Sequence, residues 1–350
     1  MAAQSPSPRR RATRLRLYVP FLLLVLLAIG WSVAWFVIRG RVLDGMDSWL
    51  AAEAAAGRRW TCPDRGAGGY PFRIELTCSS LSVERADLSG RLGRVLAVAQ
   101  IYAPSHVIVE AQGPLRLEGR GAALDATWRL LQGSIVFGSG RFQRAALAAD
   151  AIAVKGDLPP LDRVDVASRR LEVHLRPNPQ SATTTDLAVE SSGTVASGLD
   201  ALLGGDETSD VTLLASVTQT DDLPARPSAA ELDRWRSAGG RLEVTRAALA
   251  KGARRLELKG NLGFDEAHRP LGRIEASALG LEGLLGRLVG DMSVLGGRLL
   301  DVLAGGSRGA AAPSEPGRPA LKPIPPVRLE NGRVFLGPLP IPGLRLPPLY

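Results

Sequence analysis

The side chains able to do chemistry are sparse and scattered along this chain. His106, His174 and His268 are its only histidines, far apart in sequence, and none has a metal-ligand neighbour at helical or hairpin spacing. His174 falls in a polar slot of an alternating segment, where a solvated imidazole is the default. Asp44 with Asp47, and Asp221 with Asp222, are acid pairs only by proximity. The first pair reads as lying near a helix start, where carboxylates favour the helix dipole. The second reads as a loop. Gly305-Gly-Ser-Arg-Gly309 matches the Gly-x-Ser-x-Gly letters, but it lies in a Gly- and Ala-rich stretch without the strand and helix that make an elbow, and no phosphate-binding loop or histidine pair around a glutamate is present. Nothing promotes an enzyme, and no cofactor or metal is implied.

Cys62 and Cys78 are the only cysteines. They flank a candidate hairpin: Arg58 to Cys62 as one strand, Pro63 to Gly69 as the connection, and Phe72 to Cys78 as the return. A disulfide between them closes a loop of about 15 residues, stabilising by about 3 kcal/mol in the chain-entropy picture. The rival reading is two buried free thiols. Two thiolates without nearby histidines make a poor metal site.

Several elements must position these residues. Leu17 to Ile38 carries no charged side chain and follows Arg9, Arg10, Arg11, Arg14 and Arg16. About 20 apolar residues span a bilayer core, and arginine flanks stay on the cytoplasmic side. Trp31 and Trp35 sit near the far end, where indoles favour the headgroup layer. A cleaved signal peptide has a shorter apolar core, and the Arg10-Arg11 pair lacks the apolar context of a twin-arginine signal. The expectation is therefore a cytoplasmic tail over 1–16, an inner-membrane anchor over 17–38, and the remainder beyond the membrane. Five of the +8 formal charges lie in that tail and two more are Arg39 and Arg41. The rest is nearly neutral, and a nucleic-acid partner, which needs a basic patch on the folded domain, is not expected. Arg169-Arg170 and Arg254-Arg255 read as solvated strand ends.

Beyond the anchor, Leu43, Met46, Leu50 and Ala54 recur at helical spacing, with Gly57 as a stop. Residues 39–57 thus read as a helical stalk. Then period two takes over. Leu171 to Arg176, Leu242 to Thr245 and Leu256 to Lys259 alternate apolar and polar without error, and looser strands with turn residues at short intervals argue for an antiparallel meander. Asn331-Gly332 joins Val327–Glu330 to Arg333–Leu336 as a two-residue hairpin, with Glu330 opposite Arg333. Ser228-Ala-Ala-Glu231 is a capping box for a helix ending before Gly239-Gly240. Leu281 to Leu303 is an amphipathic leucine stripe weakened by glycines. The fold class is mainly β: an elongated, curved antiparallel sheet over 58–304 with few helices, thin side chains suited to packing on another layer, a flexible linker over 305–326, and a hairpin with a proline-rich tail over 327–350 packing back on the domain.

Trp49-Leu50-Ala51, Gly57 and Gly69-Tyr70-Pro71-Phe72-Arg73-Ile74 resemble the opening of the domain of unknown function 2125 family of Gram-negative envelope proteins. So do Trp235 with Gly239-Gly240, Gly260-Asn-Leu-Gly-Phe264 with Pro270-Leu-Gly272, and Asn331-Gly332 with Leu336-Gly-Pro338. Tyr70 replaces the aromatic usual at its position, and residues 140–225 carry no recognised motif. The family looks like part of the AsmA-like group: inner-membrane-anchored, β-rich periplasmic proteins. The resemblance implies a non-enzymatic envelope protein that binds or passes phospholipid acyl chains. The alternative is a structural protein with a closed core that recruits an envelope protein partner.

Overall fold

The structure is a computed structural model describing residues 12–119, 121–138, 141–158, 161–221, 223, 227–281 and 320–350. The leucine stripe lies almost entirely outside these residues. Helix α1 (Ala12–Ala55) is continuous through the apolar run and beyond it. Pro20 is inside it. The helix ends where the Arg58 N–H bonds to Glu53 O at 2.9 Å and the Gly57 N–H to Ala54 O at 3.0 Å. With Gly57 at φ 77°, this is a Schellman closure that satisfies the last carbonyls. Asp44 and Asp47 are consequently inside the helix and not near its start, because α1 begins at Ala12. Asp47 pairs with Arg65 at 2.6 Å.

Among the described residues twenty strands form one antiparallel sheet. The first ten join in pairs to make long ribs: β1 (Arg59–Thr61) with β2 (Gly66–Gly68), β3 (Arg73–Cys78) with β4 (Leu81–Arg85), β5 (Leu88–Leu92) with β6 (Val95–Gln100), β7 (Ala103–Ala111) with β8 (Leu115–Gly119), and β9 (Ala122–Thr127) with β10 (Leu130–Gly138). The registers establish this. For example, Arg73 to Cys78 run opposite Gln100 to Val95, and Leu81 to Arg85 continue opposite Leu92 to Leu88. The chain reverses only after each full rib. From β11 (Arg141–Leu158) the ribs are single strands: β12 (Leu161–Asn178), β13 (Ser181–Ala196), β14 (Ser209–Thr218), β15 (Leu242–Lys251), β16 (Arg254–Phe264), β17 (Pro270–Leu279), β18 (Lys322–Glu330), β19 (Arg333–Leu336) and β20 (Leu339–Arg345). Each pairs with its sequence neighbour, an up-and-down meander. Among the described residues no pairing joins β20 back to the first rib, so the sheet is open.

A transverse crease crosses the ribs at one height. It runs through 62–65, 79–80, 93–94, 112–114 and 128–129, then through Ala151 (φ 50°) and Gly193 (φ 61°). In β12 and β13 pairing skips between Ala167↔Val195 and Arg170↔Ser192. An extra residue on a strand flips its alternation. That is why odd-numbered Leu171, Val173 and Leu175 and even-numbered Val164 and Val166 share a face. The Ser191 hydroxyl donates to Ser168 Oγ at 3.0 Å, fixing the two sides of the crease in phase.

The crease also corrects the expected cysteine hairpin. β1 pairs with β4 and not with the Phe72–Cys78 segment, which lies between β2 and β6. The connection over 62–65 interrupts one rib without reversing the chain. Cys62 and Cys78 are bonded to each other and buried, with Cα atoms 5.5 Å apart. The bond crosses between the first two ribs where the first one has no strand pairing.

The last hairpin has the expected register, with Glu330↔Arg333, Leu329↔Val334 and Val327↔Leu336. It is not set apart by a linker reaching residue 326, because β18 starts at Lys322 and pairs Pro323 and Ile324 with Ser277 and Ala276. Pro325 and Pro326 fall at the irregularity in that ladder, where proline's missing N–H is tolerated. Among the described residues two short helices accompany the sheet. α2 (Ser197–Leu203) joins β13 to β14. α3 (Ala229–Ser237) carries the capping box: Ser228 Oγ accepts from Glu231 N–H, and the Glu231 carboxylate accepts from Ser228 N–H at 2.7 Å.

Candidate functional site

The cross-strand registers sort the side chains into two faces. On one, Leu171, Val173 and Leu175 sit beside Ala149, Leu147 and Ala145 of β11 and beside Ser191, Val189 and Leu187 of β13. The apolar row continues in both directions, to Ile135 and Val107 on one side and to Leu213, Leu249 and Leu256 on the other. The reverse face carries the charges. Arg170 donates to Asp150 at 2.7 Å and to Glu172 at 2.5 Å. Lys155–Asp165, Arg176–Asp186, Arg246–Glu257 and Lys259–Glu275 also cross between neighbouring strands there. The Arg170 hydrogen bond, helped by His174, holds the Glu172 carboxyl below the usual carboxylate range. Such solvated pairs contribute about 0–1 kcal/mol each, so they orient and solubilise that face more than they stabilise it.

Sequence composition suggested a second layer over the apolar face, but among the described residues none covers its middle. Ile135, Leu147 and Leu158 are 39%, 36% and 36% exposed. The largest side chains fully withdrawn from solvent are Lys251 and Ser209, not leucines. A Leu or Ile gains about 1.5–3 kcal/mol on full burial, and here much of that is unrealised residue after residue. Contiguous apolar surface of this kind marks a place where something apolar binds.

The flanks of the face are covered. Helix α1 lies at the first rib: Trp31 Nε1 donates to Pro71 O at 2.8 Å, Trp35 Nε1 to Arg73 O at 3.0 Å, and Arg39 Nε to Ala67 O at 2.8 Å. Trp49 and Trp60 rings lie 5.8 Å apart, and Trp60 Nε1 donates to Glu53 at 3.0 Å. The segment read as a stalk therefore docks on the domain. Near the turn joining β15 to β16, α2 places buried Leu203 with Ala278 and Leu281 over Leu249, Leu256 and Ile324. Lys251 ties α2 down: its Nζ donates to Asp200 Oδ1 at 2.5 Å and to Glu207 O at 2.6 Å. Asp200 also accepts from Ala196 N–H at 3.0 Å. At the opposite ends of these strands, Trp235 donates to Thr218 O at 2.7 Å and its ring meets Phe264 at 6.0 Å. Phe264 in turn meets Tyr350, which stacks on His268 at 4.4 Å.

The residues singled out for chemistry do not converge. His106 Nε2 is 3.0 Å from Ser134 Oγ, His174 lies beside Glu172, and His268 Nε2 is 3.0 Å from Asp233. Among the described residues no three His, Cys, Asp or Glu side chains are grouped to hold a metal ion. Two clefts beside α3, about 190 and 250 Å³, are smaller than most small-molecule sites. Sequence reading missed the Lys251–Asp200 contact because Lys251 ends an alternating strand and looks like a solvated terminus. It also missed the docking of Trp31 and Trp35, although their four-residue spacing on one helix face was the available signal.

The motif residues have structural reasons. A Cβ at Gly240 would stand 2.3 Å from the Trp235 indole. Gly260 and Gly272, at φ 158° and 155°, face each other's strands so closely that a Cβ at either would meet a carbonyl oxygen at 2.1 Å. No curated protein and no solved structure matches the chain. The model of one family, described as "Uncharacterized protein conserved in bacteria (DUF2125)", matches residues 35–344, which include every one of these motif residues and α1 from Trp35 onward. The chain belongs to that family.

Proposed function

We propose that this is a non-enzymatic protein of the bacterial inner membrane, with its N-terminus in the cytoplasm and its sheet in the periplasm. There its apolar face holds or passes lipid acyl chains in envelope homeostasis. The observation that carries the reading is the open apolar face, with partly exposed Leu, Ile and Val side chains on successive ribs and charges on the other side. Among the described residues one helix is long and apolar enough to cross a membrane, and the arginines before Leu17 favour a cytoplasmic N-terminus. The Cys62–Cys78 bond suits an oxidising compartment. Acyl chains suit a face built from Leu, Val, Ile and Ala. The test is photo-crosslinking in cells from the apolar and the charged faces of one strand pair. Lipid adducts from the apolar face alone support the reading. A single protein adduct there favours the alternative, a scaffold that recruits an envelope partner.

A further inference from the structure

The bottom of the first ribs is unlike the rest of the sheet. Val95 to Val109 contains no Asp, Glu, Lys or Arg, and neither does Leu130 to Gly138. These stretches are β6, most of β7 and β10, adjacent in the sheet. Elsewhere one face is charged; here Val98 and Ile108 pair on the reverse face and Ile108 is exposed. The neighbouring turn 69–72 is also uncharged. Tyr70, Phe72 and Tyr102 are 54%, 62% and 70% exposed, and Phe137 is exposed as well.

This uncharged rim stands at a definite height on α1. Trp31, Ser32 and Trp35 hold it, the last two meeting Tyr70 through a 2.8 Å hydroxyl contact and a 5.4 Å ring contact. At about 1.5 Å per residue, Trp31 lies about 21 Å and Trp35 about 27 Å along the helix from Leu17. A hydrocarbon core is about 30 Å thick, so both are inside its outer half. The next charges, Arg39 on the helix and Arg73 on the sheet, mark the way out to water together. The Pro71 and Arg73 carbonyls, otherwise costly in an apolar medium, accept from the two indoles.

We infer that turns 69–72 and 101–102, with the adjoining ends of β6, β7 and β10, are seated in the outer leaflet of the same membrane that α1 spans. The apolar face of the sheet then opens directly onto the acyl-chain layer. The partner is the phospholipid bilayer itself. The inference rests on α1 spanning the membrane but not on the sheet carrying lipid.

Single thiols placed by Leu27→Cys, Phe72→Cys, Tyr102→Cys and Ala86→Cys can each be labelled with an environment-sensitive fluorophore, because the native cysteines are bonded to each other. Ala86 is in the turn at the far end of the β5–β6 rib, about 40 Å away at about 3.3 Å per residue. In full-length protein reconstituted into phosphatidylcholine–phosphatidylglycerol vesicles, lipids brominated on the acyl chain should quench the probes at 27, 72 and 102 by more than about twofold. They should leave 86 unquenched and open to aqueous iodide. Quenching at 27 with 72 and 102 behaving like 86 overturns the inference and leaves the anchor intact. Equal quenching at 86 and 102 overturns it too, since the sheet would then lie flat on the membrane. Loss of quenching at 27 removes the anchor and the inference with it. Probes at both 72 and 102 guard against one local misfolding.

Discussion

Lys251 is the residue with the most at stake individually. It is 1% exposed, on an otherwise apolar face, and its charge is answered by Asp200 and the Glu207 carbonyl. Removing one partner of such a pair strands the other charge, which costs about 3–5 kcal/mol, whereas replacing both partners by apolar groups of matching shape is often neutral. Asp200→Ala should therefore destabilise by about 3 kcal/mol in chemical denaturation, and the double variant Asp200→Ala/Lys251→Met by markedly less. Equal costs would mean that the pair is no more than a packing contact. Asp186 gives a pH signature. Its partial burial pushes the carboxyl up, but hydrogen bonds from Asn178 and Ser216 and the Arg176 guanidinium outweigh this and hold it below the usual carboxylate range. A depressed native pKa stabilises above the unfolded value, about 3.9 for Asp, and this stability is lost as pH falls through the lower native one. The melting temperature should drop across that acid window, and Asp186→Asn should flatten this part of the profile.

The ribs are held to their shape by backbone approaches that only glycine permits. Gly272→Ala would drive a Cβ against Asn261 O at a φ that L side chains disfavour. It should cost more than about 1 kcal/mol, while Gly198→Ala, which meets nothing within 4 Å, should not destabilise. Thermal unfolding of the two variants checks this. At this scale the sequence was readable where one face is apolar, because alternation over Leu171–Arg176 or Leu256–Lys259 admits no other register. It was unreadable at the crease. Pro63-Asp64, Ser79-Ser80 and Gly113-Pro114 have the composition of reversing turns, yet each only interrupts a rib, so the expected Cys62–Cys78 hairpin had the wrong strand partners. Whether a turn-like pair reverses the chain depends on the strands beside it, which lie distant in sequence.

For the whole molecule, the order of parts has a physical logic. α1 docks the first rib and the turn after it through Trp31, Trp35, Trp49 and Glu53, so the apolar face begins at this long apolar helix and not at the end of a free tether. From there the meander carries the face away, one neighbouring rib after another, to the region that α2 covers. Composition alone did not reveal that the face is open: a set of leucines and valines at period two is equally compatible with a sandwich core, and only the lack of a facing layer over the middle ribs among the described residues distinguishes them. In the proposed setting an open apolar face needs an apolar occupant, and acyl chains are what an adjoining bilayer supplies. The most direct measurement places a photo-activatable amino acid at Leu147, on the apolar face, and separately at His174, on the charged face, in full-length protein in growing cells. Phospholipid adducts at 147 and not at 174, identified by mass spectrometry, are the predicted result. Protein adducts without lipid at 147, or lipid equally at both positions, would contradict a lipid-holding face.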